Sequence, residues 1–366
     1  MGDTPPAEPL YYPDYLQLDR LLSSQQLASA AGGEPVHDEM LFIIVHQAYE
    51  LWFKQILWEL DEVARLLAPQ RVAETAMLRI VARLERITEI QKLLVQQIGV
   101  LETMTPLDFL EFRNFLIPAS GFQSVQFRLI ENQLGVRPED RLKLAGNPYT
   151  AALSDSDRLR VEQTPSHPSI FDLVEAWLER TPFLDHGDFH FWAAYQAAVQ
   201  EMLERDREVV ATNPNLSESE REAQLKNFAQ TMALYEAVFD EAKHDALMLT
   251  GERRLSHRAF QAALFINLYR DAPALQEPFR LLMLLMDIDQ GFTTWRYRHA
   301  LMTHRMIGRR VGTGGSAGAA YLTRSADRIR VFSDLFQLST FMIPRSMLPS
   351  LPVELERTMR FRFEEL

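Results

Sequence analysis

The chain has 366 residues and an apolar content of 47%, enough to bury one large core or two ordinary ones, so general disorder is excluded. Its 38 Lys and Arg against 50 Asp and Glu leave a formal charge of −12, which disfavours nucleic acid and anionic membranes as partners. The absence of cysteine removes disulfides, thiolate zinc sites, iron–sulfur clusters, thiol nucleophiles and a thiolate-ligated haem, so a bound metal has to rely on His, carboxylate or Tyr ligands.

Met1–Pro9 is acidic and Pro-rich, with no basic or apolar signal region, and Pro6 stands where a myristoylation motif needs Ser or Thr. A soluble cytoplasmic protein is expected. Gly and Pro collect into a few breaks, between which apolar residues recur with the helical period. The spacing predicts helices over about 38–67, 72–100, 107–116, 122–134, 169–181, 188–211, 217–249, 256–270, 277–307 and 319–338. The class is therefore all-α, read as a single domain over 1–366 with an N-terminal arm at about 1–20.

The most apolar stretch, Met40 to Leu60, contains His46, Gln47, Glu50, Lys54 and Gln55, which suits a helix buried in protein better than a membrane span. Asp38 is expected to cap its start, as Ser217 is expected to cap the helix at about 217–249. Pro118 and Gly121 should separate two helices, and Ala145 to Pro168 reads as a long loop. The region at about 207–255 is the most charged of the helical parts and is expected to project as a hairpin.

Nine histidines carry the candidate chemistry. His46 lies on an apolar helix with Phe42 and Glu50 one turn to either side, and is either a core imidazole satisfied by a carbonyl or a neutral imidazole lining a cavity. His299, in Trp295-Arg-Tyr-Arg-His299-Ala-Leu-Met302, is surrounded by Arg296, Arg298 and Arg305; such a residue suits a haem iron with cationic partners for its propionates, or else a polar helix edge. Arg113 stands among Phe109, Phe112 and Leu116 and requires an anionic partner, from the protein or from a substrate carboxylate. The run Gly312-Thr313-Gly-Gly-Ser-Ala-Gly318 is either a linker or a loop that brings backbone N–H groups and the Thr313 hydroxyl to a small ligand.

Two metal patterns compete. Glu241-Ala-Lys-His244 has the spacing of di-iron helical bundles, but its run is charged rather than core-like, and the second copy, Glu34-Pro-Val-His37, falls in a loop with Gly32, Gly33 and Pro35. His186-Gly-Asp-Phe-His190 lacks the Glu of a metalloprotease motif and reads as a loop or first turn.

These segments together resemble the tryptophan 2,3-dioxygenase family. The likeness runs in order through Tyr12-Pro-Asp-Tyr15-Leu, the block from His37 to Gln55 around His46, Phe112-Arg113 to Ser120 and Ser124, Gly251-Glu-Arg-Arg-Leu-Ser256, Met286-Asp-Ile-Asp289, Trp295-Arg-Tyr, Gly312-Thr313-Gly-Gly-Ser316 and Leu338 to Pro344. It implies a cytosolic homotetramer with haem b that uses dioxygen to open the indole ring of L-tryptophan, giving N-formylkynurenine. His299 is then the proximal iron ligand and His46 the distal residue that hydrogen-bonds the indole N–H. The resemblance also assigns Phe42 and Phe109 to packing against the indole or haem edge, Arg113 to the substrate carboxylate, and Thr313 to the amino-acid head. Ser120 and Trp295 line the haem pocket, and Tyr12 and Tyr15 reach a neighbouring subunit's site. One departure stands out: Ala317, Ala319 and Ala320 replace a second Ser and bulkier residues, which could loosen the loop or admit a substituted indole. A haem monooxygenase acting on a substituted indole is the alternative, and a haem or indole sensor without turnover a third reading.

Overall fold

The computed structural model describes residues 9–142, 148–164, 167–313 and 319–360. Gly314, Gly315, Ser316, Ala317 and Gly318 lie outside the described residues, as do the side chains of Ala319 and Ala320, so the expectation attached to those alanines falls there.

Three long helices form the frame: α3 (His37–Leu67), α4 (Glu74–Leu101) and α13 (Pro273–Ile307). Each buries residues spaced three and four apart, such as Ile56, Leu60 and Val63 of α3, Ile80, Leu84 and Ile87 of α4, and Leu281, Leu285 and Ile288 of α13. Removing these branched side chains from water is the main force that packs α4 between the other two. Polar ties fix the register. Tyr49 Oη donates to the Leu94 carbonyl at 2.8 Å, Gln97 Nε2 to that of Val45 at 2.8 Å, and Gln91 Nε2 to that of Ile288 at 2.9 Å. Gly291 lets α13 come this close, because a Cβ there would collide with the Gln91 side chain.

Shorter helices close the frame: α5 (Pro106–Arg113), α6 (Val125–Leu134), α8 (Ile170–Glu179), α12 (His257–Leu268) and α14 (Ala319–Arg328). The Asp289 carboxylate accepts the N–H groups of Val331 at 3.0 Å and Phe332 at 3.1 Å, pinning the segment after α14 to α13. Burial pushes the Asp289 carboxyl above its ordinary value, and those two N–H groups oppose the push. The second half of α13, which carries Trp295, Arg296 and His299, is thus braced from both sides. Among the described residues no helix is long and apolar enough to cross a membrane.

Several expectations from the sequence need correction. Val36, not Asp38, precedes the first residue of α3; Asp38 and Glu39 sit in the first turn, where their charge favours the helix dipole. The supposed loop at 145–168 contains α7 (Asp155–Gln163), capped by the Ser154 hydroxyl, which has one buried residue, Val161, and therefore no apolar stripe to read. The arm carries two short helices, α1 (Tyr12–Leu16) and α2 (Leu18–Leu22), with no buried residue in either. The helix expected at 217–249 is divided into α10 (Glu218–Phe239) and α11 (Glu241–Thr250) by Asp240, whose carboxylate accepts the N–H groups of Ala242 and Lys243 and so starts a new helix. Ser217 does cap α10, in a reciprocal pair with Glu220. The helix expected at 319–338 is likewise divided into α14 and α15 (Ser333–Gln337), because Asp289 claims the N–H groups between them. Residues 185–190 form a two-stranded ladder, β1 (Asp185–His186) with β2 (Phe189–His190), ahead of α9 (Phe191–Thr212); His186 and His190 are exposed on it rather than in a helical turn. Finally, α13 begins at Pro273 and tolerates Pro278.

Candidate active site

One face of α3, namely Phe42, His46, Tyr49, Glu50 and Phe53, lines a cavity that α5, α6, α13 and the turn at Gly312–Thr313 enclose. His46 Nδ1 lies 2.7 Å from the Phe42 carbonyl. A carbonyl can only accept, so the neutral ring carries its proton on Nδ1 and leaves Nε2 as a bare acceptor. The Phe42 ring holds the imidazole in place, with centroids 4.1 Å apart. Water can reach the ring from the cavity, yet helices surround it otherwise, and this enclosure lowers its pKa against smaller opposing effects of the Phe42 carbonyl and Glu50.

His299 reaches the cavity from α13 and stacks on Trp295, with centroids 5.3 Å apart and planes inclined by 19°. Burial, aided by repulsion from a charged His46, lowers its pKa to about 4, so it is an unprotonated imidazole at neutral pH. No hydrogen bond engages it among the described residues.

Arg113, at the end of α5, is the one arginine of the cavity lining with no ion pair among the described residues. Nη2 donates to the Val311 carbonyl, Nε is buried without a partner, and no carboxylate of the described residues pairs with it. The bond to Val311 draws the segment bearing Thr313 to the cavity wall. Phe109, one turn earlier, meets Phe42 at 5.8 Å and Phe112 at 5.4 Å, joining α5 to the His46 helix. Ser120 lines the cavity and caps the turn into α6, its hydroxyl accepting the Phe122 N–H at 3.4 Å.

A cluster that sequence reasoning missed lies at the α6 wall. Glu131 is 2% exposed and meets Arg128 at 2.8 Å, Arg296 at 2.9 Å and Arg141 at 3.3 Å. Burial works against its ionisation, but the three guanidiniums win and hold the carboxyl down at about 2. Only the Arg128 and Glu131 spacing on α6 hinted at this; the other two cations come from distant parts of the chain. Of the arginines grouped around His299 in the sequence, Arg296 alone joins the cavity, while Arg298 pairs with Glu102 at 3.1 Å and Arg305 is exposed. Because the Glu131 carboxyl is depressed from its ordinary 4.5, its stabilisation is complete above that pH and is lost as pH falls toward 2. Glu131→Gln should therefore cost about 3–5 kcal/mol near neutrality, and the difference from the parent should shrink in denaturant unfolding between pH 5 and pH 2.

Tyr12 and Tyr15 are each 69% exposed on α1 and do not line the cavity of their own chain. The di-iron reading fails. His244, contrary to its charged surroundings in sequence, is fully buried and bonded through Nε2 to the Leu255 carbonyl at 2.9 Å, and the described residues contain no group of three or more metal-ligating side chains.

The family model for tryptophan 2,3-dioxygenase matches residues 6–342. The chain belongs to the tryptophan 2,3-dioxygenase family. It is 50% identical to the tryptophan 2,3-dioxygenase of Bdellovibrio bacteriovorus over 97% of this chain and 99% of that protein. It is 48% identical to that of Anopheles gambiae, over 96% and 90%, and 45% identical to that of Dictyostelium discoideum, over 98% and 90%. Membership of the tryptophan 2,3-dioxygenase family implies a haem, and the residues present fit one. Of the two neutral imidazoles in the cavity, His299 has no hydrogen bond among the described residues and suits an iron ligand, Phe53, Phe127 and Trp295 supply apolar walls, and Arg128, Arg141 and Arg296 around one carboxylate suit a dianionic rim.

Proposed function

We propose that the chain is a haem-dependent enzyme that inserts both atoms of dioxygen across the indole C2–C3 bond of L-tryptophan, giving N-formylkynurenine in the first step of tryptophan degradation. The observation that carries this reading is Arg113, a guanidinium with a buried, unpartnered Nε, in the same cavity as the bare acceptor His46 Nε2 and the unprotonated His299. A ligand with a carboxylate at one end and a ring N–H at the other satisfies both groups at once.

In this reading His299 would hold the haem iron, and Trp295 and Ser120 would line the pocket that receives the group. Arg113 forms a charge-assisted pair with the substrate carboxylate, and Thr313, carried beside it, holds the amino-acid head. Phe42 and Phe109 pack against the indole while His46 Nε2 accepts its N–H, so the C2–C3 edge is oriented and water is displaced from the apolar walls. The haem, when bound, supplies the iron chemistry that activates dioxygen. Both oxygen atoms enter the product, so no external reductant is consumed per turnover. Tyr12 and Tyr15, exposed on the arm, complete the site of a neighbouring subunit in a cytoplasmic homotetramer.

Turnover under labelled dioxygen tests the proposal. The reduced, haem-loaded protein given L-tryptophan should yield N-formylkynurenine with two labelled atoms; one labelled atom would favour the monooxygenase acting on a substituted indole, and tryptophan binding without product would favour a sensor. Because His46 orients rather than abstracts a proton, His46→Ala should slow turnover by about tenfold without abolishing it. Complete inactivity with intact haem would require a different role for His46, and steady-state rates of the loaded variant decide between the two.

A further inference from the structure

Glu50 faces the cavity one turn beyond His46, and the proposed reaction leaves it without a task. Its carboxylate is fixed by the neighbouring helix α6. The Gln126 side-chain amide, at the start of α6, donates both to the Glu50 carbonyl at 2.7 Å and to its Oε2 at 2.9 Å, holding the side chain against its own helix. Oε1 accepts no hydrogen bond among the described residues. Nor does a cation there pair with Glu50, although Lys54 stands one turn further on, at the spacing that commonly forms such pairs.

A half-buried carboxylate held without a counter-ion acts on its surroundings through its field. The other charged or titratable groups of this cavity are Tyr49 on α3, Arg113 on α5, Arg128 and Glu131 on α6, Arg141 beyond it, and Arg296 and His299 on α13. Among the charges of the cavity, it is Glu50, one turn away on the same helix, that opposes the burial weakening His46 as a base. In a low-dielectric pocket, an acceptor that attracts a proton more strongly also makes the stronger hydrogen bond.

We infer that Glu50, tethered by Gln126, is a positioning residue that strengthens His46 Nε2 as acceptor for the ring N–H and so favours ligands that carry that N–H over isosteres that lack it. The inference rests on the proposed role of His46. The tether matters because a freely rotating carboxylate would be drawn toward Lys54 or solvent and lose its effect on the imidazole.

Equilibrium binding to the haem-loaded protein tests this, with two probes: L-tryptophan, and the isostere in which sulfur replaces the indole N–H. Glu50→Gln preserves an oxygen for Gln126 and removes the charge. It should weaken L-tryptophan by about three- to tenfold and leave the sulfur isostere unchanged, while Glu50→Asp restores part of the preference. In a His46→Ala background Glu50→Gln should have no further effect on either ligand. Equal weakening of both ligands, or the same loss with His46 absent, would overturn the inference and leave Glu50 a structural tie between α3 and α6. If His46→Ala alone left the preference for L-tryptophan untouched, the reading of His46 itself would fall, and the role of Glu50 with it.

Discussion

His299→Ala is expected to abolish stoichiometric haem retention while leaving the helical frame intact. The other imidazole of the cavity, His46, is tied through Nδ1 to the Phe42 carbonyl and is assigned to the substrate ring, so holding the iron falls to His299. Its burial already favours the unprotonated state that ligation needs, and its stack on Trp295 fixes the ring, so little is lost on binding. The side chain belongs to the cavity wall rather than to the α3–α4–α13 core, and truncation widens the cavity without opening that core. The haem-to-chain ratio after haem supplementation and gel filtration should fall from about one to near zero. The far-ultraviolet circular dichroism of the variant should match that of haem-free parent. A normal Soret spectrum in the variant would defeat the assignment of His299 as the residue that holds the iron.

Arg113→Met should raise the KM for L-tryptophan by about one to two decades, the effect of losing a charge-assisted pair of roughly 1.5–3 kcal/mol. The same change should barely affect the KM for tryptamine, which has the ring and the amine but no carboxylate. The contrast follows from the surroundings of Arg113. No protein carboxylate of the described residues neutralises it, and its single bond goes to the Val311 backbone, so the substrate supplies the missing charge. Equal losses for the two substrates would mean that Arg113 serves only to hold the segment bearing Thr313.

The long helices were legible because each must bury a stripe, and a buried stripe leaves a period in the sequence. α3 and α4 end within a few residues of the expected limits for that reason. α7 left no such record, since a helix with only Val161 buried is as polar as a loop. The break at Asp240 was hidden because an Asp in a charged run reads equally as a helix face or as the cap of the next helix. The histidines and Arg113 were visible as polar groups inside apolar runs. Glu131 was not, because a carboxylate on a short helix shows its meaning only when Arg141 and Arg296 arrive from elsewhere in the chain. His244 misled in the opposite direction: its neighbours in sequence are charged, while its neighbours in space are His257 and Phe260.

The function proposed for this chain depends on a haem in the cavity between α3 and α13, and the most direct measurement is a titration of the haem-free protein with haem, followed in the Soret region. One haem per chain, with saturation lost in His299→Ala, is the expected result. A protein that stays colourless through the titration, or one that takes up haem equally well without His299, would contradict it.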